Sequence, residues 1–109
     1  MNNLNEIYNN ALKMALEFGE NLNKPVAPRI LKMYDFIEEK AATEIDKTCI
    51  TIKSKAFDFI YKRYNELEGQ ENFTKLKSDF FLFFRTNYKW INDDNLMHLF
   101  SQNCYLASK

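Results

Sequence analysis

The sequence predicts an all-α protein, a compact bundle of about five helices. Three observations lead to this fold class. The chain of 109 residues contains only two glycines and two prolines, its apolar residues recur at spacings of three and four, and capping residues separate the periodic segments. A β-protein of this length needs many more turn residues. The chain is long enough to bury a core without a metal or a disulfide, so we expect one domain over residues 1–109.

The first two helices are predicted over residues 3–19 and 28–42. Asn3 can cap the first helix and Gly19 can end it. Pro28 suits the first turn of the second helix, where its missing N–H costs nothing. The predicted inner stripe of the first helix is Leu4, Ile7, Tyr8, Ala11, Met14, Ala15 and Phe18. That of the second is Ile30, Met33, Tyr34, Ile37 and Ala41.

The third helix is predicted over residues 44–68, although part of it favours a strand. Residues 48–52 are rich in β-branched side chains. Apolar residues nevertheless keep the helical spacing through this segment, at Ile45, Cys49, Ile52, Ala56, Ile60, Tyr64 and Leu67. Because packing of an apolar face outweighs intrinsic propensity, we predict one long helix that ends at Gly69.

The last two helices are predicted over residues 73–88 and 94–106, with Asn72 as the cap of the fourth. Residues 80–84 of that helix are apolar on every side, which indicates a central helix buried from several directions. The segment is too short to span a bilayer, and no membrane span is predicted. The run Asn92-Asp93-Asp94-Asn95 is typical of a turn followed by a helix cap.

Charge and cysteine content exclude several classes of function. Fifteen basic and fifteen acidic residues cancel, so no net field draws the chain to nucleic acid or anionic lipid. Cys49 and Cys104 lie in apolar helical patterns and are predicted to be core thiols. The alternatives are a disulfide between them or a reactive thiol. No secretory signal leads the chain, so we expect a cytoplasmic protein. No cofactor motif is present and no cofactor is predicted.

A small hydrolase is the weakest of the three hypotheses about function. Asp94, His98 and Ser101 would share one helix face, in the order of an orienting acid, a base and a hydroxyl. Nothing in the sequence builds the oxyanion hole that such a triad needs. The single histidine and two distant cysteines cannot supply a structural zinc site. We therefore predict a protein that is not an enzyme and holds no metal.

The aromatic content points to a protein-binding role. Ten Phe, six Tyr and one Trp exceed what a core of this size needs. Tyr, Trp and Arg dominate binding hot spots, because each buries a large area while the polar group at its end can still form a hydrogen bond. The candidate interface residues are Tyr61, Tyr64, Arg85, Tyr88, Trp90 and Tyr105. The alternative is that these side chains fill the end of the bundle.

The leading hypothesis is a non-enzymatic module that binds and blocks a partner protein, as an inhibitor, immunity or antitoxin-like protein does. It rests on size, on a residue usage typical of low-GC bacterial or phage genomes, and on the lack of other signals. The partner is another protein, and a homodimer is left open.

The second hypothesis is a nucleic-acid-associated regulator that uses the third helix. Its candidate residues are Lys53, Lys55, Lys62 and Arg63, with Tyr61 and Tyr64 beside them. Interleaved cations and aromatics can hold a phosphate backbone and stack a base. Nucleic-acid-binding domains usually carry net positive charge, and the neutral balance of this chain disfavours nucleic acid as a partner.

Overall fold

The structure, a computed structural model, describes residues 4–17, 24–64 and 70–108. These residues form α1 (Leu4–Ala15), α2 (Ala27–Met33), α3 (Glu39–Tyr64), α4 (Gln70–Asn87) and α5 (Asp93–Ala107). No strand occurs within the described ranges, so the all-α prediction of about five helices is confirmed. The chain divides into two compact units, Met1–Ile52 and Lys53–Lys109, and α3 contributes to both. The prediction of a single domain stays a prediction.

The first unit has an aliphatic core. Helix α1 and the first half of α3 bury apolar side chains at spacings of three and four, as amphipathic helices do, and α2 buries Ile30. The buried residues are Ile7, Ala11, Leu12, Met14, Ala15, Leu16, Val26, Ile30, Ala42, Ile45, Cys49 and Ile52. Helix α1 ends at Ala15, and the predicted end residues Phe18 and Gly19 lie outside the described residues, as does Asn3.

Polar contacts across the first unit hold α2 in place. Val26 occupies the N-cap position of α2 and offers no side-chain acceptor. The backbone N–H of Ala27 instead donates to the Asp46 carboxylate on α3, at 3.3 Å. The Arg29 guanidinium donates to both carboxylate oxygens of Glu17, at 3.1 and 3.2 Å. A carboxylate from another helix therefore does what a local cap does elsewhere.

The prediction that the second helix runs to residue 42 is wrong. Helix α2 ends at Met33, Tyr34 is extended, and α3 begins at Glu39 instead of 44. The Tyr34 hydroxyl accepts a hydrogen bond from the Asn10 amide on α1, and the Tyr34 ring meets Phe36 edge-on. The contact with Asn10 is tertiary, and a local hydrogen bond from the Ile37 N–H to the Tyr34 carbonyl, at 3.1 Å, closes a turn at the break. The predicted stripe is also broken, because Met33 is 53% exposed. Ala41 is exposed as well. Pro28 does lie in the first turn of α2, as predicted.

Helix α3 runs without interruption through the strand-like segment, so the prediction of one long helix is confirmed. The hydroxyls of Thr43 and Thr48 donate to the carbonyls of Glu39 and Glu44, four residues earlier, each at 3.0 Å. Threonine satisfies its hydroxyl in this way inside a helix. The description of α3 stops at Tyr64, and the predicted end of this helix at Gly69 lies outside the described residues.

The second unit has an aromatic core centred on Phe80 of α4. Its ring centroid lies 4.5 Å from Phe84, 5.2 Å from Phe100 on α5 and 5.7 Å from Phe59 on α3. Tilted and edge-on ring pairs at these distances are favourable beyond the area that they bury. The Phe-rich fourth helix therefore joins the three helical segments of this unit.

Two details of α4 differ from the prediction. The helix begins at Gln70, so residue 72 lies within it and is not its cap. Residues 80–84 are not buried on every side, because Leu82 is 68% exposed while Phe81 and Phe83 are half-buried. A run of apolar residues need not be buried on every side of a helix, because single apolar residues such as Leu82 are common on the surface of folded proteins.

The cap predicted for the last helix is present. Asn92 is extended, and its side-chain oxygen accepts a 2.8 Å hydrogen bond from the backbone N–H of Asn95. Asn95, Gln102 and Asn103 are buried polar residues of α5. Asn103 donates to the Leu99 carbonyl at 2.8 Å, so its amide is satisfied within the helix.

Candidate protein-binding surfaces

One outward-facing part of α4 combines apolar and cationic side chains. The residues are spaced so that they share one helix face, and together they line a shallow concavity of about 400 Å³. We define the α4 outer surface as Lys77, Ser78, Phe81, Leu82 and Arg85. Leu82 is the most exposed large apolar residue of the described chain, at 68%.

The cations of this surface are held in place by an aromatic ring. The Arg85 guanidinium lies 5.0 Å and the Lys77 ammonium 6.0 Å from the centroid of Phe81. Both distances fall in the range of cation–π attraction. Phe81 is fixed from the inner side by Phe80 and Phe100, with centroids 6.0 and 6.1 Å away. The surface therefore rests on the aromatic core of the second unit.

Arg85 also forms an ion pair across the turn that follows α4. Its Nη2 donates to Asp93 Oδ1 at 3.1 Å, and the two side chains are 56% and 81% exposed. An ion pair this exposed contributes little to stability, roughly 0.2–1 kcal/mol. The Arg85 guanidinium can therefore donate to a carboxylate of another molecule instead, and breaking its ion pair with Asp93 costs little free energy.

The first unit carries a second concave surface. A groove of about 550 Å³ lies between the start of α1, the α2–α3 connection and the start of α3. We define the α1–α3 groove by its lining residues, which are Leu4, Tyr8, Phe36, Ile37, Glu38, Lys40, Ala41, Glu44 and Ile45. Leu4 is 64% and Phe36 59% exposed, so its apolar wall is open to solvent. Its charged residues are two glutamates and one lysine.

Sequence reasoning missed this groove. It assigned Leu4, Tyr8, Ile37 and Ala41 to the inner stripes of two helices. The break after Met33 removes residues 34–38 from any helix and leaves Phe36 exposed. One signal was available, because Phe36 lies outside the predicted stripe of the second helix.

The six predicted interface residues fall into three environments. Arg85 belongs to the α4 outer surface. Tyr61 and Tyr105 are 49% and 52% exposed, and Tyr61 stacks on Phe57 with centroids 5.2 Å apart. The half-buried residues are Tyr64, Tyr88 and Trp90. Tyr88 stacks on Phe84 at 5.5 Å, so it extends the aromatic core as the alternative interpretation expects.

The residues of the predicted nucleic-acid face differ in their exposure and in the contacts that their charged groups already make within the chain. Lys62 is exposed and Lys53 is half-buried. The ammonium of Lys55 lies 5.8 Å from the centroid of the Tyr88 ring. Arg63 donates to Asp79 at 2.8 Å and lies 5.5 Å from the centroid of Phe59.

The Asp79 carboxylate shows how firmly Arg63 is engaged. The hydrogen bond from Arg63 lowers the pKa of Asp79 below its ordinary value, and Lys75, whose ammonium donates at 3.3 Å, adds to this effect against a loss of hydration. The Arg63 charge is thus directed at another helix of the same unit, which leaves less of it for a phosphate.

The remaining chemical groups of interest are not among the lining residues of either concave surface. Asp94 and Ser101 are exposed on α5 and His98 is half-buried. Cys49 is buried, and Cys104 is a half-buried thiol whose pKa is raised to about 11 by burial. Among the described residues, no three His, Cys, Asp or Glu side chains are grouped to hold a metal ion.

Comparison with known proteins assigns no family. No protein-family model matches the chain, and neither a curated protein nor a solved structure is significantly similar to it. Within the described ranges, no helix combines the length and the apolar character needed to cross a membrane.

Proposed function

We propose that this chain is a non-enzymatic protein-binding module that binds and blocks a partner protein, as small inhibitor, immunity or antitoxin-like proteins do. The observation that carries the proposal is the α4 outer surface, where an exposed leucine stands beside an aromatic ring and two cations. Arginine is among the residues that are enriched in binding hot spots. Phe81 and Leu82 add apolar area beside Arg85 that a partner can bury.

Preorganisation supports this role. The guanidinium of Arg85 is already restrained by Phe81 and Asp93. Ordering a free side chain at an interface costs roughly 0.5–1.5 kcal/mol, and a side chain that is restrained beforehand loses less. The partner that fits this surface presents a small apolar pocket beside a carboxylate, which would replace Asp93 on the guanidinium.

The experiment is affinity purification from the native cell, followed by binding measurements with the purified partner. Leu82→Ala and Arg85→Ala remove the anchor and the cation. Ile50→Ala is the matched control for the leucine, because Ile50 is 61% exposed on α3. Lys89→Ala is the matched control for the cation, since Lys89 is exposed in the turn after α4.

We expect each α4 variant to raise the Kd by about 10-fold or more, as the loss of a hot-spot residue does. The two controls should bind the partner as the unaltered chain does. If all four variants bind equally well, the α4 outer surface is not the interface. A Trp90→Ala variant tests in the same way whether the segment after α4 takes part.

The nucleic-acid alternative has a different signature. Phosphate contacts weaken steeply with salt, whereas an apolar anchor does not. Nucleic acid that copurifies with the chain, is released by salt and is lost on replacing Lys53, Lys55 and Lys62 would contradict the proposed function.

We also propose that the protein works in the cytoplasm. Cys49 and Cys104 are both thiols, and the reducing cytoplasm keeps thiols in that state. Fractionation of the native cell with an antibody against the chain tests this location.

A further inference from the structure

The two concave surfaces carry opposite charge around apolar centres. The α4 outer surface has two cations, Lys77 and Arg85, and no acid among its lining residues. The α1–α3 groove has Glu38 and Glu44 against one lysine, Lys40. Opposite potentials on two surfaces favour their encounter and fix its register.

We propose that the α1–α3 groove of one chain binds the α4 outer surface of a second copy. Leu82 is the projecting apolar side chain, at 68% exposure, and the groove is the apolar concavity that receives it. Leu4 and Phe36 in the groove are 64% and 59% exposed within a single chain. Both surfaces are therefore open and available to another molecule.

The spacing of the charges fits this pairing. Lys77 and Arg85 are eight residues apart on one helix, which places them about 12 Å apart along its axis at 1.5 Å per residue. Glu38 directly precedes α3, and its carbonyl accepts the Ala42 N–H at 3.0 Å. Glu44 follows six residues later, so the two glutamates are about 9 Å apart along the helix axis on the same measure. The two cations can therefore reach the two glutamates from either side of a leucine seated between them.

Both glutamates are available for such contacts. The Glu44 side chain is 63% exposed, and its ion pair with Lys47 is long, at 4.0 Å. Glu38 is exposed in the connection that precedes α3. An exposed pair of this kind contributes little, so it yields to a second contact.

The contact is heterologous, because two different surfaces meet. Such contacts do not stop at two molecules, and they build open chains or closed rings. The two surfaces are small compared with the 1,200–2,000 Å² or so that stable interfaces bury, so we expect weak association at about 0.1–1 mM.

The test is sedimentation equilibrium of the purified protein alone, over that concentration range and at two salt concentrations. The unaltered chain should exceed its monomer mass of 13.0 kDa, and high salt should reduce the excess. Leu82→Glu and Glu44→Lys should each remain monomeric. Ile50→Glu, at a similarly exposed apolar position of α3, should associate like the unaltered chain. Circular dichroism checks that every variant is folded.

Mixing the two monomeric variants makes the test specific. Leu82→Glu keeps an intact groove and Glu44→Lys keeps an intact α4 outer surface, so an equimolar mixture should form dimers and nothing larger. A mixture that stays monomeric overturns the head-to-tail pairing. An unaltered chain that is monomeric at about 1 mM, a concentration at which weak interfaces already associate, overturns the proposal. Association that survives either substitution also overturns it.

The outcome is independent of the proposed function. Sedimentation of the pure protein involves no partner, so self-association can be established even if partner capture fails. If both hold, Glu44→Lys should abolish self-association and leave partner binding through the α4 outer surface intact. A copy seated on that surface would then compete with the partner at high protein concentration.

Discussion

The core of the first unit is aliphatic, whereas the core of the second is built around phenylalanine. Among the described residues of the first unit, the buried apolar side chains are aliphatic except for Met14 and Cys49, and none is aromatic. Phe36 is 59% exposed. In the second unit, Phe80 contacts rings from three helical segments. The aromatic residues are therefore concentrated in the second unit, where Phe80, Phe84 and Phe100 are the buried ones among the described residues. The number of aromatic residues in the sequence therefore does not tell which of them fill the core and which lie at the surface.

The largest expected effect comes from the centre of the aromatic core. Phe80→Ala removes a ring that is fully buried and contacts Phe59, Phe84 and Phe100. We expect the free energy of unfolding to fall by about 3–5 kcal/mol, as for other buried Phe→Ala changes. Urea denaturation measures it. Phe36→Ala is the matched control in the first unit and should change stability by less than about 0.5 kcal/mol. Equal effects at both positions would contradict the contrast between the two units.

The two cysteines sharpen the comparison through their reactivity. The pKa of Cys104 is raised to about 11 because burial disfavours its thiolate. In a Cys49→Ser variant, the rate of alkylation should rise about tenfold per pH unit from pH 8 to 10. Cys49 is only 1% exposed. In a Cys104→Ser variant, the rate at which Cys49 is alkylated should therefore be set by how often the structure opens.

The same shift predicts the alkaline stability. The pKa of Cys104 in the folded chain lies above its ordinary value of 9.0. Its contribution to the free energy of unfolding is therefore complete below pH 9 and is lost as the pH rises towards about 11. A Cys104→Ser variant should lack this pH dependence. A labelling profile that levels off near pH 9 would show that burial does not raise the pKa.

The two units cap their helices in different ways, and removing either cap should lower the free energy of unfolding by less than Phe80→Ala does. Helix α5 has a local cap in Asn92, whereas the first N–H of α2 uses Asp46 from a different helix. Asn92→Ala should lower the free energy of unfolding by about 1 kcal/mol. Asp46→Ala should cost about 0.5 kcal/mol, at the low end for a hydrogen bond, because the contact is 3.3 Å long. Thermal unfolding compares the two variants with Lys89→Ala, and a larger loss for Asp46→Ala would reverse the expected order.

The smallest effect is expected at the surface of the second unit. Arg63, followed by Lys75, lowers the pKa of Asp79. The stabilising contribution of Asp79 is therefore present above its ordinary pKa of 3.8 and is lost as the pH falls through the lower value in the folded chain. Asp79→Asn should remove this part of the acid dependence, while Asp35→Asn in the first unit serves as the control. If the free energy of unfolding of the Asp79→Asn variant and of the unaltered chain falls identically with decreasing pH, the predicted contribution of Asp79 is contradicted.

Much of the helical organisation followed from local patterns. The spacing from Ile45 to Ile60 predicted that α3 runs through a strand-like segment, and the structure has that helix. Pro28 marked the start of α2, and the run Asn92-Asp93-Asp94-Asn95 marked the start of α5. Each of these signals acts over one or two helical turns, so the sequence contains all that is needed to recognise it.

The candidate surfaces were only partly predictable. Arg85 was named from its residue type and its place near a helix end, and it lies on the α4 outer surface. Leu82 was assigned to the core because its neighbours are apolar, yet it is the most exposed large apolar residue described. Periodicity identifies a buried face only where one side of the helix is polar, and residues 80–84 offer no such contrast.

By itself, the sequence determined the helical class, the long third helix and the cap of the last one. Only the tertiary structure decided the break between α2 and α3 and, with it, the α1–α3 groove. The reason is the range of the interactions. Caps and apolar spacing act between residues three or four apart, whereas the Tyr34 hydroxyl at the break accepts a hydrogen bond from Asn10, which is 24 residues away. No local pattern encodes a contact of that span.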